Sequence, residues 1–264
     1  PIAGCVSYRG YFDEAMAQRR ARQLAARGLD VHVGPVAAYS TLGWFDDPLL
    51  STFVTRQSAD LAELLFHELA HGYLYVPSET AFNESFATFV GREGVRRWLA
   101  ARQDPEALAR WSQRIALRAQ FVAHALEARE LLAAGYRQAR ADGLEEDALE
   151  RRRNALWQQV AEAWSADRPG SLAARDAFFL GPPSNARLAT VADYNGHVPA
   201  FAALLERLDG NLPLFLERVR ELADGTSEAR AAFLASSGAS GTSIHSIARA
   251  APAPPAAEPA QTSR

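Results

Sequence analysis

Three residues, His67, Glu68 and His71, form the pattern H-E-x-x-H. The apolar residues around them, Leu61, Leu64, Leu65 and Leu69, favour a helix. On a helix His67 and His71 stand at i and i+4, one turn apart on one face. Two imidazoles placed that way can hold one zinc ion, with Glu68 projecting beside them as a general base. A catalytic zinc takes a third protein ligand and keeps one position open. Glu84 is the best candidate for that ligand. It opens a second apolar-periodic segment, residues 83–90, and only twelve residues separate it from His71. A short loop over residues 73–80 would fold the second helix back onto the first.

The continuation of the motif carries a resemblance. HELAH followed by NESFA resembles the zinc aminopeptidases of the aminopeptidase N type, in which HELAH precedes NEGFA by a longer gap. The strings GCVSYRGYF, AYSTLGWFDDP, FHELAH, FNESFATFVGREG and YNGHVPAF are similar to a bacterial family of predicted aminopeptidases, over roughly residues 1–225. The resemblance implies a zincin-like metallopeptidase acting on a peptide or protein substrate. His67, His71 and Glu84 would be the Zn2+ ligands and Glu68 the base. It also implies a portion upstream of Pro1 that commonly begins with a lipoprotein-type signal, hence a possible lipid anchor there and a periplasmic or cell-envelope location.

Peptide hydrolysis at such a site takes more than the ligands. Glu68 would accept the proton of the attacking water and pass it to the leaving amine. The developing oxyanion needs a further donor. Tyr194, in Asp193-Tyr194-Asn195, is the first choice, with His197, Tyr39 and Tyr75 as competitors. Acids that would orient the histidine rings are Asp46, Asp47 or Asp193, and the sequence does not choose among them. Two departures from the aminopeptidase N pattern stand out. The G-x-M-E-N segment, whose glutamate binds the free amino end of the substrate in that group, has no counterpart here. Gly72 follows the second histidine where the relatives usually show Gln. Another acid would have to receive the amino end, with Glu79 first and Asp46 and Asp47 next. An aminopeptidase is the expectation that the resemblance implies. A zinc endopeptidase, or a non-catalytic helical interaction protein with a structural metal site, is the alternative.

The chain has 264 residues and 48% hydrophobic residues, enough for one sizeable packed domain. The net charge of −3 argues against nucleic-acid binding. All 28 basic residues are arginine, which reads as a coding bias, not as a clustered phosphate-binding face. No run of eighteen apolar residues is present, so no membrane span is expected. The chain opens at Pro1 inside a strand-like run, as a fragment or a processed chain would. Cys5, the single cysteine, reads as a small buried hydrophobe or as half of a disulfide whose partner lies upstream of Pro1.

The elements that must position the motif follow from periodicity. Residues 5–8 and 31–36 read as strands, and residues 12–27 as a helix stopped by Gly28. By analogy with zincins, residues 31–39 would be an edge strand lining the cleft. Residues 39–48 carry loop chemistry, 58–73 and 82–101 are the two active-site helices, and Asn83 caps the second. Arg92, Arg96 and Arg97 read as a solvated face, while Phe86, Phe89 and Val90 pack under the metal. Residues 105–141 and 145–166 form a helical hairpin with a seam of Trp111, Phe121, Leu131, Leu149, Leu156, Trp157 and Trp164, and a structural His124. Further helices are expected over 185–194, 199–208 and 212–223. The expectation is thus a mainly α fold with a small β component (α+β). It comprises a zincin-like domain over 1–235, a helical hairpin at about 104–166, and a disordered Ala/Pro/Ser-rich tail over 236–264.

Overall fold

The computed structural model describes residues 9–11, 13–34, 58–167 and 173–236. Ten helices occur among them: α1 Glu14–Ala25, α2 Ser58–Tyr73, α3 Thr80–Ala101, α4 Pro105–Ala141, α5 Glu146–Asp167, α6 Ala173–Leu180, α7 Asn185–Asn195, α8 Val198–Arg207, α9 Leu212–Asp224 and α10 Ser227–Ala235. The fold is mainly helical, as the periodicity predicts. No strand occurs among the described residues, so the expected β component and the zincin-like edge strand are not found there. Residues 31–34 follow α1 without ladder partners among the described residues. The other strand positions, Cys5 itself, Tyr39, Asp46, Asp47 and residues 237–264 lie outside the described residues.

Local chemistry sets most helix ends. Asp13 caps α1 by accepting from the backbone N–H groups of Ala15 and Met16. Gly28 closes that helix at φ 77°, a left-handed conformation that costs glycine nothing. Asp104 caps α4 through the Ala107 N–H, with Pro105 at the first helical position. Asp30 reaches across to the start of α7, accepting from the Asn185 N–H and the Ser184 hydroxyl.

The α2–α3 hairpin is the centre of the fold. Two glycines of α3 let the helices approach closely. A Cβ on Gly91 would stand 2.9 Å from the Glu63 carbonyl oxygen, and one on Gly94 would stand 2.7 Å from the Phe66 ring. The turn between the helices is held by Asn83. Its side-chain oxygen accepts from the Val76 N–H at 2.9 Å, and its amide donates to the Val76 carbonyl at 2.7 Å. Asn83 is therefore no helix cap. It lies inside α3, fully buried, and mimics a backbone partner for the loop; the residue preceding α3 is Glu79, which makes no side-chain cap.

Three apolar clusters surround the hairpin. Phe82, Phe86 and Phe89 of α3 meet Phe201 of α8 and Phe215 of α9, with ring centroids 5.1–6.4 Å apart. Ala59, Val95 and Leu99 pack against Trp111 and Ile115 of α4. The far half of α4 packs on α5, where Gly135 admits Leu156 and where Trp157 and Trp164 donate to the Gly181 carbonyl and the Asp176 carboxylate. His124 is structural, with its Nε2 3.0 Å from the Val160 carbonyl oxygen. Leu131 is exposed and its neighbour Leu132 takes the buried position, one residue from the expected seam. Helix α6 is only eight residues long and lies between Pro- and Gly-rich segments, so periodicity does not mark it in the sequence.

The three arginines of α3 do not form a solvated face. Arg92 is buried. Arg96 and Arg97 both bind Glu93, and Arg97 also donates to the Gly210 carbonyl.

Candidate metal centre

Helix α2 carries His67 and His71 on the face turned to α3, and α3 presents Glu84 to them from its first turns. The three side chains converge. The two Nε2 atoms lie 3.1 Å apart. Glu84 Oε2 stands 3.4 Å from His67 Nε2 and 3.5 Å from His71 Nε2. A tetrahedral metal bound at about 2.0–2.1 Å has ligand–ligand edges of about 3.3 Å, so this triangle matches one face of such a polyhedron.

The chemistry of the donors agrees with the geometry. Two imidazole nitrogens and a carboxylate oxygen form a zinc-type set. Glu84 Oε2 is buried, and the two histidine Nε2 atoms at 3.4 and 3.5 Å are the polar atoms it faces. Burial opposes ionisation of Glu84, but hydrogen bonds and charge from His67 and His71 outweigh it and hold the pKa at about 2, below the ordinary 4.5. Glu84 is thus an anion at neutral pH, as a metal ligand must be. His71 Nδ1 is buried without a partner among the described residues, so no orienting acid for that ring lies within them.

Of the remaining residues singled out in sequence, Tyr194 comes to the site. Its ring stacks on His67, with centroids 6.0 Å apart and planes 9° from parallel. Glu68 is half-buried on α2, beside the two histidines in sequence. His197 does not join the triad by any contact with its rings. Burial pushes its pKa down, opposed by a hydrogen bond with the Leu234 backbone and by the Asp193 charge. Tyr75 is exposed at the α2–α3 turn, on a cleft shared with Tyr73, Arg220 and Asp224. Glu79 is not a free acceptor for an amino group. Its carboxylate binds Arg230 at 3.1 Å and the Ser227 hydroxyl at 2.9 Å.

The sequence pattern gives no role to Ser85 or Asn195 and reads Arg92 as solvated. Ser85 donates to the Asp193 carbonyl at 3.0 Å and receives the His197 N–H at 3.4 Å. Arg92 donates to the Asn195 side-chain oxygen at 2.7 Å. A signal was available: Ser85, Thr88 and Arg92 recur at helical spacing, so they form a polar stripe along one side of α3.

A helical hairpin that offers two histidines and a glutamate to one point defines a candidate three-ligand metal centre. A family model described as "Putative aminopeptidase" matches residues 1–234, and the chain belongs to that family. Comparison with curated proteins and with solved structures gave no match. The family supports a peptidase in broad terms. No helix among the described residues is long and apolar enough to cross a membrane.

Proposed function

We propose that this chain is a zinc-dependent peptidase that removes residues from the amino end of peptides. The observation that carries the reading is the triangle of donor atoms on His67, His71 and Glu84, with edges of 3.1–3.5 Å. The residues fit zinc in type, charge and spacing. Zinc, when bound there, supplies a Lewis acid that acidifies water near neutral pH and polarises a peptide carbonyl.

The chain's own residues supply the rest. His67, His71 and Glu84 hold the cation. Glu68 takes the proton of the attacking water and returns it to the leaving nitrogen. Tyr194 donates its hydroxyl proton in a hydrogen bond to the oxygen that gains negative charge. The stacking of Tyr194 on His67 supports that role, because it keeps the phenol beside a ligand ring.

A zinc endopeptidase is the second reading. It is favoured by one observation: Glu79, the acid first expected to receive a substrate ammonium group, is engaged by Arg230 and Ser227. The two readings separate on one pair of substrates. An aminopeptidase cleaves an unblocked peptide and not its N-acetylated form, because acetylation removes the charge that the site must recognise. Equal rates on both make the protein an endopeptidase. Metal analysis of the purified chain is expected to give one zinc per chain. Glu68→Gln is expected to retain that zinc and to lose about 10²–10⁴-fold in kcat. A Glu68→Gln protein with parental activity removes Glu68 from the mechanism.

A further inference from the structure

A buried cation stands behind the candidate site and none of the chemistry above uses it. Arg92 lies on α3 two turns beyond Glu84, and its side chain is 7% exposed. Its Nη2 donates to Asn195 Oδ1 at 2.7 Å, and its Nε stands 3.7 Å from Glu63 Oε1. Glu63 is itself bound by Arg118, and Glu63 is one helical turn before His67. Asn195 is the last residue of α7 and follows Tyr194 directly.

We propose that Arg92 is a positioning residue: through Asn195 it holds the end of α7 on the active-site hairpin and so fixes Tyr194 against the His67 ring. The inference rests on the reading of Tyr194 given under Proposed function.

The energetics make the placement informative. A buried guanidinium loses its hydration and is kept only where its contacts compensate. Burial depresses the Arg92 pKa to about 10, with Arg118 adding to the fall and Glu63 opposing it. Arg92 Nε has no hydrogen bond among the described residues. An apolar residue would stabilise this three-helix contact at lower cost. What a long, planar donor adds is direction: it reaches from α3 to one specific oxygen on α7. Ser85 makes the companion contact at the Asp193 carbonyl. Ser85 follows Glu84 in sequence, so the helix that offers the third ligand also sets the height of Tyr194. Asn195 is oriented for its part, since its amide donates to the Val191 carbonyl at 3.0 Å and leaves Oδ1 for Arg92. The stacking of Tyr194 on His67 at 9° is the outcome of this latch.

The test uses the full chain, labelled with 15N, and long-range proton–nitrogen spectra of the histidine rings. The chain has six histidines, and His67→Gln assigns the signal of interest. Tyr194→Leu defines where the His67 ring signals fall without a stacked phenol. Asn195→Ala removes the acceptor of Arg92, and Asn195→Asp keeps one. The expectation is that Asn195→Ala moves the His67 signals toward their Tyr194→Leu positions, while Asn195→Asp leaves them near the parent. With zinc bound, Asn195→Ala lowers kcat about 10–100-fold at unchanged KM and unchanged zinc affinity, as a misplaced donor would. If Asn195→Ala does not fold by circular dichroism, Asn195→Ser, whose hydroxyl is too short to reach Arg92, takes its place. His67 signals that stay at the parental position in a folded Asn195→Ala or Asn195→Ser overturn the latch, and so does an Asn195→Asp protein that behaves like Asn195→Ala. A parent chain that cleaves no peptide sinks the proposed function and leaves the spectra to decide the latch.

Discussion

Gly91→Ala tests the close approach that brings α2 and α3 to ligand distance. The added methyl would stand 2.9 Å from the Glu63 carbonyl oxygen and 3.5 Å from His67 Cβ. The nearer atom is helix backbone, so no side-chain rotation relieves the clash, and α2 must shift by several tenths of an ångström. Two terms oppose each other. Alanine is favoured over glycine in a helix by about 0.8–1.0 kcal/mol. Overpacking against a fixed neighbour costs about 1–3 kcal/mol. The expected net effect runs from about zero to a loss of about 2 kcal/mol. Gly72 supplies the control. It is also helical, it follows His71 directly, and a Cβ there meets nothing within 4 Å. Gly72→Ala should therefore gain up to about 1 kcal/mol, which separates the two alanine variants by the overpacking cost alone, about 1–3 kcal/mol. Urea unfolding of the metal-free chains measures the difference. A zinc titration measures its consequence, because His67 moves with α2 while Glu84 stays on α3, so Gly91→Ala should bind zinc more weakly and Gly72→Ala should not. A Gly91→Ala protein that is stabilised as much as Gly72→Ala and binds zinc like the parent refutes the argument.

Two further variants probe the site and its support. Glu84 has a folded pKa of about 2 against an ordinary 4.5, so the stability it contributes to the metal-free chain is present above pH 4.5 and lost as pH falls toward 2. The contribution is at most about 3 kcal/mol, and acid unfolding of Glu84→Gln should lack that segment of the curve; identical acid curves contradict the assignment. Arg230 binds Glu79 and donates to the carbonyls of Leu222, Ala223 and Gly225 at the end of α9. Arg230→Leu should cost about 2–4 kcal/mol by leaving Glu79 and those carbonyls without their partner, read as a lower urea midpoint; an unchanged midpoint removes Arg230 from the account of stability.

The triad was legible because every step toward it is local. Periodicity marks residues 58–73 as a helix, the i, i+4 spacing puts both histidines on one face, and twelve intervening residues bring Glu84 back to them. Asn83 was misread for an instructive reason. An asparagine near a helix start favours the cap, but the same amide can serve a loop backbone at Val76, and only the packed turn decides. Arg92 was misread because solvation is a property of what covers a helix. Its cover, α7, lies about a hundred residues downstream, and nothing in the local pattern announces it. Helix α10 escaped notice because its nine residues sit between a Gly-Thr turn and a Ser/Gly-rich stretch. The valines at 31 and 33 have high strand propensity, but propensity makes no strand without a paired neighbour, and none stands beside them among the described residues.

The order of the contributing residues along the chain has a consequence for assembly. His67 and Glu84 are 17 residues apart, whereas Tyr194 follows Glu84 by 110. The entropy of closing a loop grows with the logarithm of its length, and the longer closure costs about 1.7 kcal/mol more. Chain synthesis adds to that difference, because the hairpin emerges well before α7 does. Closing the hairpin is thus the cheaper step and docking α7 the costlier one. On the proposed function, a chain whose hairpin had closed could hold its cation before the proposed oxyanion donor was in place, and metal loading and competence to cut would then be successive events.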